Sequence, residues 1–177
     1  MKVLKLRLEQ SAAKLDPPFV YNGEPDFNKF QKWVLETKDW LRLSYIRKNH
    51  RVSRLKKYLG GRAYSFYMRD IARNPRKWSL RRFLEELFNH CFPPDFRTVQ
   101  RERFLSFQQN GRTVRDFRRR LDELTLSVGH ISRRELTLRF WHGADRYLRV
   151  RWAEDGFDPE KAKIDELQAA AERYEQA

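Results

Sequence analysis

Apolar side chains recur along this chain at intervals of three and four, the spacing of one face of an α-helix, and almost nowhere at intervals of two. Between residues 27 and 46, Phe27, Phe30, Trp33, Val34, Trp40, Leu41 and Leu43 mark one broad helical face. Asp26 stands before it as an N-cap, with Pro25 preceding. Val52, Leu55, Tyr58 and Leu59 open a second run, which Gly60-Gly61 interrupts and Ala63, Phe66, Tyr67, Met68 and Ile71 resume. After the loop RNPRKWS, Ser79 is placed to cap a helix with the stripe Leu80, Phe83, Leu84, Leu87, Phe88 and Cys91.

The second half repeats the pattern with shorter joints. Asp95 is placed to cap a helix expected to run through Gln109, with Val99, Phe104, Leu105 and Phe107 apolar. Thr113 and Asp116 resemble a capping box with Asp in place of Glu. Behind them, Val114, Phe117, Leu121, Leu124 and Val128 lie on one helical face. Gly129 ends that helix, and Ser132 with Glu135 forms a full capping box for a helix through Trp141. A short helix around Tyr147 to Trp152 and a last one opening at Asp158-Pro159 complete the series.

Two breaks organise the chain. DPPFVYNGEPD, with three prolines and a glycine, is an extended connector whose Phe19, Val20 and Tyr21 pair as a short strand or anchor in a groove. Pro93-Pro94 is the sharpest break and marks a lobe boundary. The expected architecture is all-α in two small helical lobes: an arm or helix over 1–17, an N-terminal lobe over 18–93 and a C-terminal lobe over 94–177.

Composition narrows the chemistry. The 177 residues are 40% apolar and 14% aromatic, enough for a packed core. A single cysteine, Cys91, excludes an internal disulfide and favours an intracellular setting. It lies on the buried stripe of its helix, as a small core residue does. Residues 1–20 lack the apolar run of a secretion signal, and no stretch reaches the roughly 20 apolar residues of a membrane span, so no membrane partner is expected. His90 and Cys91 are the nearest approach to a metal pair, but adjacent helical residues point about 100° apart. No phosphate loop, nucleophile elbow or zinc-hydrolase motif occurs. No enzyme activity, metal or cofactor is therefore expected.

Charge adds a partner. The net charge is +14, and it is uneven: +12 over residues 1–92, +6 over 93–150 and −4 over 151–177. A basic body suits a polyanion such as RNA, and the acidic tail suits basic surface on a neighbouring copy. The run RKNHRVSRLKK, residues 47–57, holds Arg47, Lys48, Arg51, Arg54, Lys56 and Lys57, the candidate RNA contacts. Contacts of this kind would be salt-sensitive and indifferent to sequence. Arg118, Arg119 and Arg120 fan around their helix and cannot all face one groove.

The stretch QQNGRTVRDFRRRL, residues 108–121, reads as a helix joint rather than a hairpin or phosphate loop, since its flanks have helical spacing and no strand precedes it. The order of pieces is also familiar. PPFVYNGEPDFNKFQKWVLETKDWL, LGGRAYSFY, WSLRRFLEELFNHCFPPDF, RERFLSFQQNGRTVRDFRRRLDEL and LRFWHGADRYLRVRW together resemble the capsid region of Gag proteins from gypsy-type LTR retrotransposons. The series is similar as well to domesticated relatives such as neuronal Arc and to retroviral capsids, and it spans roughly residues 17–175.

That resemblance implies self-assembly, through pentamers and hexamers, into a virus-like shell that packages RNA in cytoplasmic particles. It also places residues 108–121 where retroviral capsids carry their major homology region, with Gln108, Gly111, Val114, Phe117 and Arg120 in the motif. Arg112 stands where that motif has Glu, and Ala144 where a Leu is common. Arg120 is expected to make the structural hydrogen bonds, with Arg118 and Arg119 solvated or turned to a neighbour. Assembly surfaces are expected near Lys38 and Arg42, and near Arg139, Arg146 and Arg149. Two alternatives stay open: a domesticated interaction module with a peptide ligand in an N-lobe groove, and a non-specific RNA-binding protein that does not assemble.

Overall fold

The computed structural model of the protein describes residues 2–4 and 16–177, so the arm or helix expected over 1–17 falls mostly outside the described residues. Those residues are helical, joined by turns, with one isolated β-bridge. The chain divides between Pro94 and Asp95 into two compact units, one residue from the expected boundary.

In the N-terminal unit, α1 (Phe27–Leu43) starts where Asp26 accepts the Lys29 amide at 3.1 Å. It buries Phe30, Trp33, Thr37 and Leu41, while Leu35 and Leu43 stay exposed. The expected second helix is instead a 3-10 turn (Lys48–His50), a single turn α2 (Arg51–Arg54) and another 3-10 turn (Lys56–Tyr58). Val52, Leu55 and Tyr58 recur at intervals of three, which matches the 3-10 repeat, and the bonds Leu55 N to Val52 O and Tyr58 N to Leu55 O follow it. Then come α3 (Gly61–Phe66), widened into a π-turn over Tyr67–Ile71, a 3-10 turn Pro75–Lys77, and α4 (Leu80–Cys91). Ser79 caps α4 by accepting the Arg82 amide at 3.2 Å.

The extended segment belongs to this unit's own core. Tyr21 bridges Leu59 in parallel: its amide donates to Tyr58 O (3.1 Å) and its carbonyl accepts from Gly60 N (2.9 Å). Its ring is fully buried against Phe30 and Trp33, and its hydroxyl donates to Glu24 O at 2.6 Å. Phe30 continues the aromatic packing onto Phe88 and Phe92, with centroids 5.6 and 5.5 Å away. Burying a large side chain of this kind stabilises by about 1.5–3 kcal/mol. Gly23 allows the clasp to close: its φ is +85°, and a Cβ there would lie 2.8 Å from the Ala63 amide nitrogen.

The C-terminal unit packs α5 (Phe96–Ser106), α6 (Val114–Val128), α7 (Arg133–Gly143), α8 (Arg146–Glu154) and α9 (Ile164–Gln176) around Phe117, Leu121, Phe140, Leu148, Trp152 and Leu167. Thr113 and Ser132 cap α6 and α7 as expected, and the Ser132–Glu135 box is complete. Two boundaries differ. Helix α5 begins after Asp95 without a side-chain cap from it, and stops at Ser106, not Gln109, because residues 107–109 extend to meet α7. Helix α9 begins at Ile164, not at Pro159, because the Asp158 carbonyl accepts from Lys161 N and Ala162 N in one closed turn that buries Ala162.

Two of the glycines with φ near +80°, Gly23 and Gly111, should therefore respond differently. Gly23→Ala adds a backbone clash to left-handed strain and is expected to cost at least ~2 kcal/mol. Gly111→Ala, with φ +77° and open space around it, should cost only about 1 kcal/mol. Urea denaturation of the two variants, compared with the parent, measures the difference.

Candidate functional site

The six candidate RNA contacts share the surface formed by the two 3-10 turns and α2. From Ser44 to Leu84 the chain carries thirteen Lys and Arg and one carboxylate, Asp70. That carboxylate is already held by Arg69 at 2.8 and 3.0 Å. Among the described residues, no carboxylate lies within ion-pair distance of Arg47, Lys48, Arg51, Arg54, Lys56 or Lys57. All but Arg51 are exposed; Arg51 is half-buried and donates to the Ile46 carbonyl at 3.2 Å. Folding also merges two clusters that are separate in sequence. The turn Pro75–Lys77 packs against Lys48–His50 and α2, which brings Arg76 and Lys77 beside the 47–57 run. Arg76 and Lys77 are exposed and likewise without a carboxylate partner.

Helix α6 of the C-terminal unit treats its arginines in the opposite way. On α6, Arg118 is its most enclosed guanidinium, its side chain 17% exposed, bound to Asp122, Asp165 and Gln168 at 2.9–3.1 Å. Arg119 pairs with Asp116 and Glu123, and Arg120 with Asp116. The expected roles are thus exchanged: Arg118 is the structural arginine, and Arg120 is 46% exposed on the helix surface. Arg115 binds Glu172 at 2.9 Å, and Glu175 accepts the Val114 amide at 2.8 Å, where the positive end of the α6 dipole favours an anion. The acidic tail therefore has partners within its own unit.

Asp116 and Glu172 are both held below the usual carboxylate range, chiefly by hydrogen bonds from Arg119 and Arg115 respectively. Depressed carboxylates stabilise above their ordinary titration range. That contribution is lost as pH falls through the lowered values.

The turn at residues 108–112 is organised by Gln109, not Gln108. Gln108 is exposed, whereas Gln109 is 0% exposed. Its carboxamide nitrogen donates to Arg112 O at 2.7 Å and its carboxamide oxygen accepts the Asp145 amide at 2.9 Å. Its own amide donates to Gly143 O at 2.8 Å. Asn110 and Gly111 take φ +47° and +77° between the bonded pair Gln109 O and Arg112 N, a type I′ turn with no strands attached. The Gly111 amide is held by Asp145 Oδ2 at 3.2 Å. Val114 and Phe117 enter the core as expected, while Arg112 sits over the Phe107 ring and donates to the carbonyls of Gln108 and Gln109.

Of the expected assembly residues, Lys38, Arg42 and Arg146 are exposed; Arg42 pairs with Asp39 at 3.2 Å. Arg139 turns inward instead. It donates to Phe107 O at 3.1 Å, and burial pushes its pKa below the usual guanidinium range. Arg149 is half-buried with its Nε enclosed. Arg139 is drawn in where a Cβ on Gly143 would lie 3.0 Å from its guanidinium and 2.6 Å from Phe107 O. Arg146 borders a surface concavity of ≈ 490 Å³ that Tyr147, Val150, Arg151 and Glu154 also line. No group of three or more His, Cys, Asp or Glu side chains converges among the described residues, and no described helix is long and apolar enough to cross a membrane.

Gln109→Ala should strand the Asp145 amide and the Arg112 carbonyl and destabilise by about 2–4 kcal/mol, while Gln108→Ala should be near neutral. Parallel urea titrations of the two variants read this out. No family model, curated protein or solved structure matches this chain.

Proposed function

We propose that this protein is a capsid-type assembly protein whose N-terminal unit holds RNA through its phosphates. The observation that carries the reading is the allocation of carboxylates. Apart from half-buried Arg51, the Arg and Lys side chains on residues 47–57 and 76–77 face solvent with no carboxylate among the described residues to neutralise them, while the arginines of α6 are paired. An unneutralised surface of this kind exchanges condensed counterions for protein cations on a polyanion, whatever its base sequence. The ordered resemblance to Gag capsids supports the assembly half of the reading.

Two exposed stripes suit weak contacts between copies. On α1, Leu35, Lys38, Asp39 and Arg42 recur at helical spacing on the solvent side. On α8, Tyr147 and Val150 stand exposed between Arg146 and Arg151. Mixed apolar and charged stripes of this size give modest interfaces, and many such contacts together hold a closed particle.

Electron microscopy of the purified protein with and without RNA, across a salt series, is the primary test. Particles are expected with RNA at low salt; monomers under every condition would sink the assembly reading. Lys56→Ala with Lys57→Ala should also lower the slope of log affinity against log salt by about 1.4, at ~0.7 per phosphate contact on a single strand. An unchanged slope would place the RNA elsewhere.

A further inference from the structure

Tyr45 is out of keeping with its position. It occupies the residue after the C-cap of α1, at φ +54°. Around it the helix closes with two bonds: Ile46 N donates to Leu41 O at 3.4 Å and Tyr45 N to Arg42 O at 3.3 Å. This is the paired-bond helix stop in which glycine is favoured, because a Cβ at positive φ is strained. An aromatic residue is costly there unless its ring is packed. The Tyr45 ring is not: the residue is 63% exposed, among the most exposed large apolar side chains described. Neither folding preference nor core packing accounts for a tyrosine at this place.

Its surroundings supply a reason. Two residues on begins the cationic run, and Arg51 donates to the carbonyl of Ile46, the residue next to Tyr45. Tyr45 therefore adjoins the segment whose exposed Arg47, Lys48 and Arg54 are joined in the fold by Arg76 and Lys77. Cations that follow a phosphate backbone, together with an exposed aromatic face on which a base can stack, are what single-stranded nucleic acid requires. A duplex keeps its bases stacked on one another and offers such a ring nothing.

Resting on the RNA reading above, we infer that this surface selects single-stranded over duplex nucleic acid, with Tyr45 as the stacking side chain and the flanking Arg and Lys as the phosphate contacts. The selectivity is one of strand state and not of sequence, because every base presents a π-face.

The test uses the whole chain, a short labelled RNA of mixed sequence, its blunt-ended duplex, and fluorescence anisotropy at fixed salt. Tyr45→Gly relieves the backbone strain, so its melting temperature should equal or exceed the parent's. Its single-strand affinity should fall about tenfold while its duplex affinity stays within about twofold. Tyr45→Phe, which keeps the ring and removes the hydroxyl, should retain single-strand binding. Equal single-strand affinity for Tyr45→Gly and parent, or a loss with Tyr45→Phe as large as with Gly, would overturn the inference and leave the RNA reading standing. Absence of binding by the parent to either RNA would overturn both.

Discussion

The C-terminal unit is built around one carboxamide that water cannot reach. Gln109 must have both ends of its side chain satisfied, and their partners differ: a carbonyl on one side and a backbone N–H on the other. That requirement fixes the amide's orientation and pins the turn before α6 to the start of α8. It also explains why α5 ends early, since Phe107 to Gln109 must be extended for Gln109 N to reach the last carbonyl of α7. The close approach of Phe107 O then excludes any side chain at Gly143. Helix end, turn type and glycine follow from the same buried group.

Charge is the second constraint, and the two units answer it in different ways. In the C-terminal unit, α9 lays Asp165, Glu172 and Glu175 along α6, so its acidic residues offset the arginines and the helix-start amide of Val114. Most such pairs at a surface contribute little individually, but Arg118, nearly enclosed among three partners, does more than a solvated pair would. The N-terminal unit carries a single carboxylate, Asp70, within residues 44–84. Its aromatic packing around Tyr21, Phe30 and Phe88 holds it together instead, leaving the cations available to something outside the chain.

Much of this was legible in the sequence where a local rule decides the outcome. Asp26, Ser79, Thr113 and Ser132 cap helices because their oxygens reach an amide three residues on, and the Val114–Val128 face follows from helical period alone. Where two neighbours compete for one role, sequence gives no basis for choosing. Gln108 and Gln109 are identical chemically, and only the position of α7 decides which is buried. Arg118 displaced Arg120 because α9, distant in sequence, brings Asp165 and Gln168 to it. Asp158-Pro159 carried a helix-start signal, but burying Ala162 closed the turn before the helix could continue. The union of the 47–57 and 76–77 clusters is likewise tertiary, and no local pattern announces it.

The second constraint acts between copies as well, if copies of the chain associate. A surface carrying this much unpaired positive charge repels its own copy, over a range of about 10 Å at 0.1 M salt. Stripes such as Leu35–Arg42 and Tyr147–Arg151 interleave exposed apolar residues with charges, so the repulsion opposes the contacts they could make. A bound polyanion removes the repulsion and raises the local concentration of copies along its length, so weak contacts become sufficient. Very high salt would also screen the repulsion, but it would release the polyanion at the same time. Under the assembly reading proposed above, association would depend on RNA at moderate ionic strength and would need no strong protein interface between copies.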